Sequence, residues 1–200
     1  PERLLRILYK NALFLENHVE HEIGGNHLLE NAVALVAAGV LFRAHDTGWA
    51  RAGWRLFEAA AEDQFLADGC HFERSPMYHV TVLRRYATAY DLLSTTGFPT
   101  DAIEATATAA MGFLERLIEP GGTIPLLNDS VHGETVEPRT CLSYCRACGL
   151  SATERGGRSD GSGYRTLSTE SGTLLFDVGD VGPPHLPAHS HNDHLGILLW

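Results

Sequence analysis

The feature of the sequence that most restricts the fold is a series of helix-like stretches that fills the first 118 residues. Apolar residues recur there at the three- and four-residue spacing of an α-helix. The predicted helices cover about 2–20, 27–44, 47–67, 76–95 and 101–118. Breaks that contain Gly or Pro separate them, so we expect consecutive helices joined by short loops.

The distribution of charge divides these helices into two sets. The second, HLLENAVALVAAGVLF, is apolar on nearly every face, and the fourth is rich in Val, Leu and Tyr, so both should be buried. The first, third and fifth carry their charges on one side and should form an outer, half-solvated layer. Alternating inner and outer helices close naturally as an α/α toroid. The two inner helices would then be parallel, with their N-termini on one rim.

The composition of the sequence changes after residue 118, where Pro, Gly and Asn become frequent and the helical spacing of apolar residues ends. Gly156–Gly163 is typical of a linker, and Gly172–Val178 and Leu195–Trp200 are typical of strands. We therefore expect a mainly α protein, with a toroid domain over 1–150 and a linker and the start of a β-domain over 151–200. The first residue is not Met and the last strand has no turn after it, so we expect a piece of a longer protein.

Composition argues against several partners. The formal charge is −10, and Lys and Arg are few and scattered, which disfavours nucleic acid. No run approaches the ~20 apolar residues of a membrane span. Cys141, Cys145 and Cys148 form a single cluster and Cys70 stands alone, whereas a structural zinc site usually has two separated pairs of ligands. We interpret the cysteines as small, partly buried residues, and they indicate no redox compartment.

Two polar clusters stand where the inner helices should begin. Asn26 is placed to act as an N-cap with His27 as the first helical residue, and capping alone could explain this pair. Ser75 and Pro76 are typical of a helix start, which puts Tyr78 in the first turn of the fourth helix. Both clusters should therefore lie on one rim, beside helix N-termini that favour an anion such as a carboxylate.

A third cluster, PAHSHNDH at 187–194, is the densest set of metal-ligand types in the chain. Alternate residues of an extended segment point the same way, so His189, His191 and Asp193 could converge on a metal or a substrate. The pattern H-x-H-x-D-H also fits metallo-β-lactamase-like hydrolases. Those enzymes place it after several strands, whereas here helices precede it.

Four blocks, in order, resemble the heparinase II/III-like lyases: GNHLLENAVALVAAGVLF, DGCHFERSPMYHVTVLRRYATAYDLL, GGTIPLLNDS and HSHNDHLGILLW. The resemblance covers most of the chain and is poorest over 134–168. It implies an incomplete α/α toroid of helical hairpins followed by an antiparallel β-sandwich domain. We expect a periplasmic or secreted protein, and the sequence gives no oligomeric state.

The resemblance also implies roles for individual residues. Asn26 and His27 match the pair that faces a uronate carboxylate, and Tyr78 and His189 match the catalytic tyrosine and histidine. His191 resembles the first ligand of a structural zinc whose other ligands lie further along the chain, so the zinc site should be incomplete within these residues. The ionisable side chains around the first two clusters are the candidate substrate contacts, namely Glu30, Glu73, Arg74 and His79.

The expected activity is therefore cleavage of an anionic, uronic-acid-containing polysaccharide by β-elimination, with Tyr78 and His189 dividing the acid and base roles. The glycan could be alginate, a glycosaminoglycan or an exopolysaccharide. Three alternatives remain open at this point. A toroid glycoside hydrolase would use two carboxylates from among Glu30, Glu73 and Asp129. The others are a metal-dependent hydrolase built on the histidine motif and a glycan-binding relative without activity.

Overall fold

The computed structural model describes residues 2–45, 47–153, 161–186, 189–191 and 195–200, and this part of the chain is mainly helical. Its helices are α1 (Glu2–Glu16), α2 (Gly25–Leu41), α3 (Trp49–Asp63), α4 (Pro76–Ser94), α5 (Asp101–Leu117) and α6 (Pro138–Ala147). Its strands are β1 (Tyr164–Thr169), β2 (Gly172–Asp177) and β3 (Ile197–Leu199). Residues 154–160, which include most of the expected linker at 156–163, lie outside the described part. The fold class expected from the sequence, helices followed by antiparallel strands, is confirmed.

Helices α2 and α4 form the inner layer, as their apolar composition predicts. Leu29 and Val36 of α2 and Val80 and Leu83 of α4 are fully buried in one cluster. Helix α1 contributes little to the core, because only Ala12 is buried in it. The buried apolar side chains of the inner helices therefore contribute much of the hydrophobic stabilisation of this region.

The prediction that the fifth helix is an outer helix is wrong. Helix α5 packs on α4, and its other side is covered by chain segments that the helical pattern does not reveal. The Thr153 N–H donates to the Thr108 carbonyl at 3.1 Å. Phe113 and Leu117 pack against Tyr164 at the start of the sheet. A helix covered on both sides is buried even when its ends carry charges.

Helix α6 and strand β1 were not predicted. Pro138 occupies the first turn of α6, which buries Cys141, Leu142 and Cys145 against α4. These few apolar residues follow a Pro- and Gly-rich stretch that obscures the helical spacing. In β1 only Tyr164 is buried, so its sequence lacks the alternation of a half-buried strand.

The three strands form an antiparallel sheet in the order β1-β2-β3. Tyr164 pairs with Asp177, and Leu175 pairs with Leu198. Leu175 and Tyr164 share a cluster with Phe113, so the sheet rests on the end of α5. Leu186 and His189, which follow β2, lie against Gly25 of α2 and against Glu73 respectively.

The cysteines behave as expected. Cys70, Cys141 and Cys145 are buried, Cys148 is half-buried, and all four are free thiols. Burial raises the pKa of the Cys70 thiol, which keeps it protonated. Within the described ranges, no helix is both long enough and apolar enough to cross a membrane.

Candidate active site

The start of α4 is built by its own sequence and by one neighbouring loop. The Tyr78 N–H donates to Ser75 Oγ at 3.4 Å, and Pro76 lies in the first turn. The Met77 N–H donates to Ser130 Oγ at 3.1 Å. Local capping thus fixes Tyr78 in the first turn, where the sequence predicts it.

The start of α2 is different, and the prediction that Asn26 is its N-cap is wrong. The helix begins at Gly25, and its N-cap, Gly24, has no side chain to bond. Asn26 lies inside the first turn, where its N–H donates to Glu73 Oε1 at 3.1 Å. Its side chain is bonded to none of the described residues, and its Oδ1 is buried without a partner among them. The buried Oδ1 is closed to a ligand, so the Asn26 Nδ2 is the atom that remains to face one.

The two helix N-termini lie on one rim, as expected, because Glu73 precedes α4 by three residues and touches Asn26. Further along, Arg85 Nε of α4 donates to Glu30 Oε1 of α2 at 2.6 Å. Glu30 follows Asn26 along α2, and Arg85 follows the start of α4. The two contacts therefore advance toward the C-termini of both helices, so α2 and α4 run parallel. His27 is half-exposed on this rim, with its Nδ1 3.6 Å from Glu20 Oε1.

His189 joins this rim from the segment after β2. Its Nδ1 is 2.5 Å from Glu73 Oε2. Its ring stacks on Tyr78, with ring centroids 4.0 Å apart and planes 18° apart. The Asp129 N–H donates to the His189 carbonyl at 3.2 Å, so both the backbone and the ring of His189 are held. Three of the four residues to which the resemblance gives a role in the reaction, Asn26, Tyr78 and His189, therefore meet around Glu73, and the fourth, His27, lies on the same rim beside Glu20.

The surroundings of Tyr78 keep its hydroxyl protonated. Its hydroxyl donates to Asp129 Oδ2 at 3.2 Å. Burial and the negative charge of Asp129 raise the pKa of Tyr78 to about 12, because both disfavour the phenolate. The phenol is therefore protonated at neutral pH and is a candidate general acid.

The predicted substrate contact at His79 is wrong. Its ring is buried, with Nδ1 accepting from the His71 N–H at 3.2 Å and Nε2 3.0 Å from the Ala110 carbonyl. Burial lowers the pKa of His79 to about 4, so the ring is neutral. A buried ring with both nitrogens engaged has no atom left for a substrate.

The other three predicted contacts have partners within the protein. Both oxygens of Glu73 are engaged, with Asn26 and His189. The Arg74 guanidinium is nearly buried and bonds the Asp180 carbonyl at 2.8 Å. Glu30 remains half-exposed beside Arg85 and can still face a ligand. The contact of Glu30 and Arg74 with a substrate stays a prediction, whereas Glu73 is 1% exposed and has no oxygen left for one.

His191 is the predicted zinc ligand. Its ring is 52% exposed, and its Nε2 lies 3.7 Å from Asp129 Oδ1. No group of three metal-binding side chains comes together among the described residues, and Asp193 and His194 lie outside them. The described residues supply one exposed imidazole and do not by themselves form a zinc site.

Asp129 was missed as a partner of Tyr78. From the sequence, Asp129 was a candidate only as a carboxylate of a glycoside hydrolase. It stands 51 positions from Tyr78, in the polar triplet that ends GGTIPLLNDS. That triplet was the available signal, but separation in sequence hides which helix it approaches.

The fold is similar to that of known lyases. One solved structure, a heparinase III, matches 96% of this chain and 35% of its own, with a TM-score of 0.74 and 19% identity. A heparan sulfate lyase from Pedobacter heparinus matches 96% of this chain and 33% of its own, with a TM-score of 0.70 and 19% identity. At this identity the similarity concerns the fold.

Curated relatives match over shorter stretches. A heparin-sulfate lyase of Pedobacter heparinus is 27% identical over 132 residues, which are 63% of this chain and 20% of the relative. A heparin-sulfate lyase of Bacteroides thetaiotaomicron is 31% identical over 74 residues, 36% of this chain and 10% of the relative. The chain thus matches a fifth or less of these curated relatives and about a third of the solved structures.

Family models match nearly the whole chain. The model of the heparinase II/III N-terminus matches residues 2–146, and the model of the heparinase II/III-like C-terminal region matches residues 152–200. The chain therefore belongs to the heparinase II/III family.

Proposed function

We propose that the full-length protein is a polysaccharide lyase that cleaves uronic-acid-containing glycans by β-elimination. The observation that carries this proposal is the stacked pair of Tyr78 and His189 beside the unbonded Asn26 side chain. The pair offers a proton donor and a proton acceptor on one side of a possible substrate. Asn26 offers a donor for the carboxylate whose charge must be stabilised.

Elimination begins with the proton on C5 of the uronate. His189 takes this proton through Nε2, because Nδ1 is engaged with Glu73. The electron pair of the C5–H bond forms the C4–C5 double bond, and the C4–O bond breaks. Tyr78 gives its phenolic proton to the departing oxygen. Both residues then exchange protons with solvent, and the products are an unsaturated uronate and a new sugar end.

Loss of the C5 proton places additional negative charge on the uronate carboxylate. The Asn26 carboxamide can donate a hydrogen bond to it, as donors of an oxyanion hole do. The first turn of α2 adds its positive dipole end on the same rim. Short-range donors of this kind can capture an anionic glycan despite the formal charge of −10, since salt screens the distant field beyond about 8 Å.

The names of the curated relatives favour a glycosaminoglycan of the heparin and heparan sulfate type over alginate or an exopolysaccharide. The test uses the full-length protein and a panel of these glycans, and it follows the ultraviolet absorbance of the new conjugated uronate. We expect absorbance with heparan sulfate. New reducing ends without absorbance would indicate a hydrolase. Binding without any product would indicate a glycan-binding protein.

The zinc proposal concerns His191 alone. We propose that its exposed imidazole is one ligand of a structural zinc, with further ligands outside the described residues. Metal analysis of the full-length protein and of His191→Ala tests it. Equal zinc contents in the two proteins would remove His191 from any site.

We also propose that the protein works in the periplasm or outside the cell. Extracellular polysaccharides are met there, and the proposed substrate belongs to that class. Fractionation of the native cells tests this location. Recovery of the protein in the cytoplasmic fraction alone would refute it.

A further inference from the structure

Glu73 is a buried carboxylate that touches two parts of the proposed site at once. Its side chain is 1% exposed. Oε1 accepts the Asn26 N–H at 3.1 Å, and Oε2 lies 2.5 Å from His189 Nδ1. The guanidinium of the next residue, Arg74, is directed to Asp180 and not to Glu73. The carboxylate therefore stands between α2 and the segment that carries His189.

A carboxylate is suited to both contacts. Each of its oxygens accepts, so it can take the Asn26 N–H and a proton-bearing His189 Nδ1 together. An amide of the same shape has only one acceptor oxygen. A hydrogen bond at Nδ1 determines which ring nitrogen of a histidine carries the proton, and here it leaves Nε2 free to accept one. The same carboxylate gives α2 the negatively charged cap that Gly24 cannot provide.

The space around Glu73 is shaped for this arrangement. Gly25 has a φ of +51°, and a Cβ at that position would lie 2.1 Å from Glu73 Oε1. Arg74 has a φ of 54°, a conformation that is uncommon outside Gly. Asn128 Nδ2 and the Tyr164 hydroxyl both donate to the Arg74 carbonyl and hold it there. A glycine in α2 and a strained residue anchored by two side chains thus keep the carboxylate in place.

We propose that Glu73 is a positioning residue that holds Asn26 and His189 in a fixed relation and keeps the proton of neutral His189 on Nδ1. This inference rests on the proposed lyase function and extends it. It replaces the expected role of Glu73 as a substrate contact. Glu73 acts through His189 and Asn26 and makes no contact with the glycan.

The first test reads the histidine ring directly and needs no activity. Full-length protein labelled with ¹⁵N-histidine is compared with Glu73→Gln by nuclear magnetic resonance at a pH where the ring is neutral, and His189→Gln assigns the signal. In wild type we expect a protonated Nδ1 and an unprotonated Nε2. In Glu73→Gln the Gln oxygen can serve only one partner, so the His189 signals should move toward the opposite tautomer or a mixture. Unchanged signals would overturn the proposal.

The second test separates positioning from folding with a matched pair of glycine variants. Gly25→Ala drives a methyl group into the carboxylate, whereas Gly24→Ala, at a φ of +68°, meets no atom within 4 Å. Both variants carry backbone strain, but only one displaces Glu73. We expect kcat to fall about 100-fold in Gly25→Ala and in Glu73→Gln, with KM within about threefold, and kcat to be kept in Gly24→Ala.

The possible results distinguish a failure of the lyase proposal from a failure of the proposed role of Glu73. If wild type yields no unsaturated product, the lyase proposal fails, while the ring signals still decide the role of Glu73. If wild type is active and Glu73→Gln keeps its kcat, Glu73 does not position the catalytic groups. Equal losses in Gly24→Ala and Gly25→Ala would assign the effect to backbone strain and would also overturn the proposal.

Discussion

The N-termini of the two inner helices lie on one rim but are built in opposite ways. Helix α4 carries its own cap, with Ser75 accepting the Tyr78 N–H and Pro76 in the first turn. Helix α2 begins after a glycine without a cap and receives one from Glu73, 47 positions from Asn26. The start of α4 is therefore a local property of the sequence, whereas the cap of α2 is present only when the tertiary structure is formed.

The histidines near these two N-termini also differ, in how exposed they are. His27 in α2 is half-exposed on the rim, whereas His79 in α4 is buried and hydrogen-bonded at both nitrogens. Each is an ionisable residue in a first turn beside other polar residues. The side of the helix that faces the core decides which of them can meet a ligand.

The largest effect is expected from removing the proton donor at the start of α4. Tyr78→Phe deletes one oxygen and keeps the ring that stacks on His189. Turnover in the full-length protein should fall by about 10²–10⁴-fold, the usual contribution of a general acid, with little change in substrate binding. Steady-state kinetics together with a binding assay measure both quantities. Turnover near that of wild type would remove Tyr78 from the chemistry.

The next effect concerns α2. Asn26→Ala removes a side chain that bonds no described residue, so its loss should appear only when the transition state forms. We expect kcat to fall by about 10²–10³-fold. Thermal unfolding should be nearly unchanged, because Asn26 is not the cap of α2. A clear drop in stability with unchanged kcat would show that its role is structural.

The buried histidine of α4 predicts a loss of stability in acid. Burial lowers the pKa of His79 from 6.5 to about 4, so the folded state binds fewer protons than the unfolded state between these values. The stabilisation is complete above pH 6.5 and is lost as the pH falls toward 4. Burial also lowers the pKa of His71, which acts in the same direction. Thermal unfolding between pH 4 and 7 measures the slope.

A matched pair of variants isolates His79 in that experiment. His79→Gln keeps an uncharged polar side chain and should flatten the decline, with the His71 contribution remaining. The same change at His21, which is exposed, serves as the control for the loss of one imidazole. A decline of equal slope in His79→Gln and wild type would exclude His79 as its source.

The smallest effect is expected from the local cap. Ser75→Ala removes the oxygen that accepts the Tyr78 N–H and contacts Ser130 Oγ at 3.0 Å. The free energy of unfolding should fall by about 1 kcal/mol, within the range of about 0.5–2 kcal/mol for lost caps. Chemical denaturation measures it. A loss well outside that range would show that Ser75 does more than cap α4.

Local patterns explain which parts of the fold and the site could be predicted. The inner helices, the capped start of α4 and the position of Tyr78 follow from spacing and from two adjacent residues. The shared rim follows from helix alternation. His189 was singled out by the histidine cluster, and its catalytic role came from a family resemblance and stays a prediction. The structure places its ring against Glu73 and Tyr78.

The remaining features depend on contacts between distant residues. Glu73 was expected to contact substrate. Its burial and its two partners depend on α2 and on the residues after β2, and its own sequence neighbourhood does not reveal them. Asp129 reaches Tyr78 across 51 positions. The burial of α5 depends on the segment around Thr153, which crosses it. Periodicity within one helix contains no information on such neighbours.

The central claim, that the Tyr78 and His189 pair performs β-elimination, is tested most directly by counting two products of one reaction. Full-length protein is incubated with heparan sulfate, and unsaturated uronate and new reducing ends are measured in the same samples. Elimination makes one unsaturated uronate for each new reducing end, so we expect the two amounts to rise in equal proportion and both to be nearly absent with Tyr78→Phe. New reducing ends without unsaturated uronate would contradict the account and assign the site to hydrolysis.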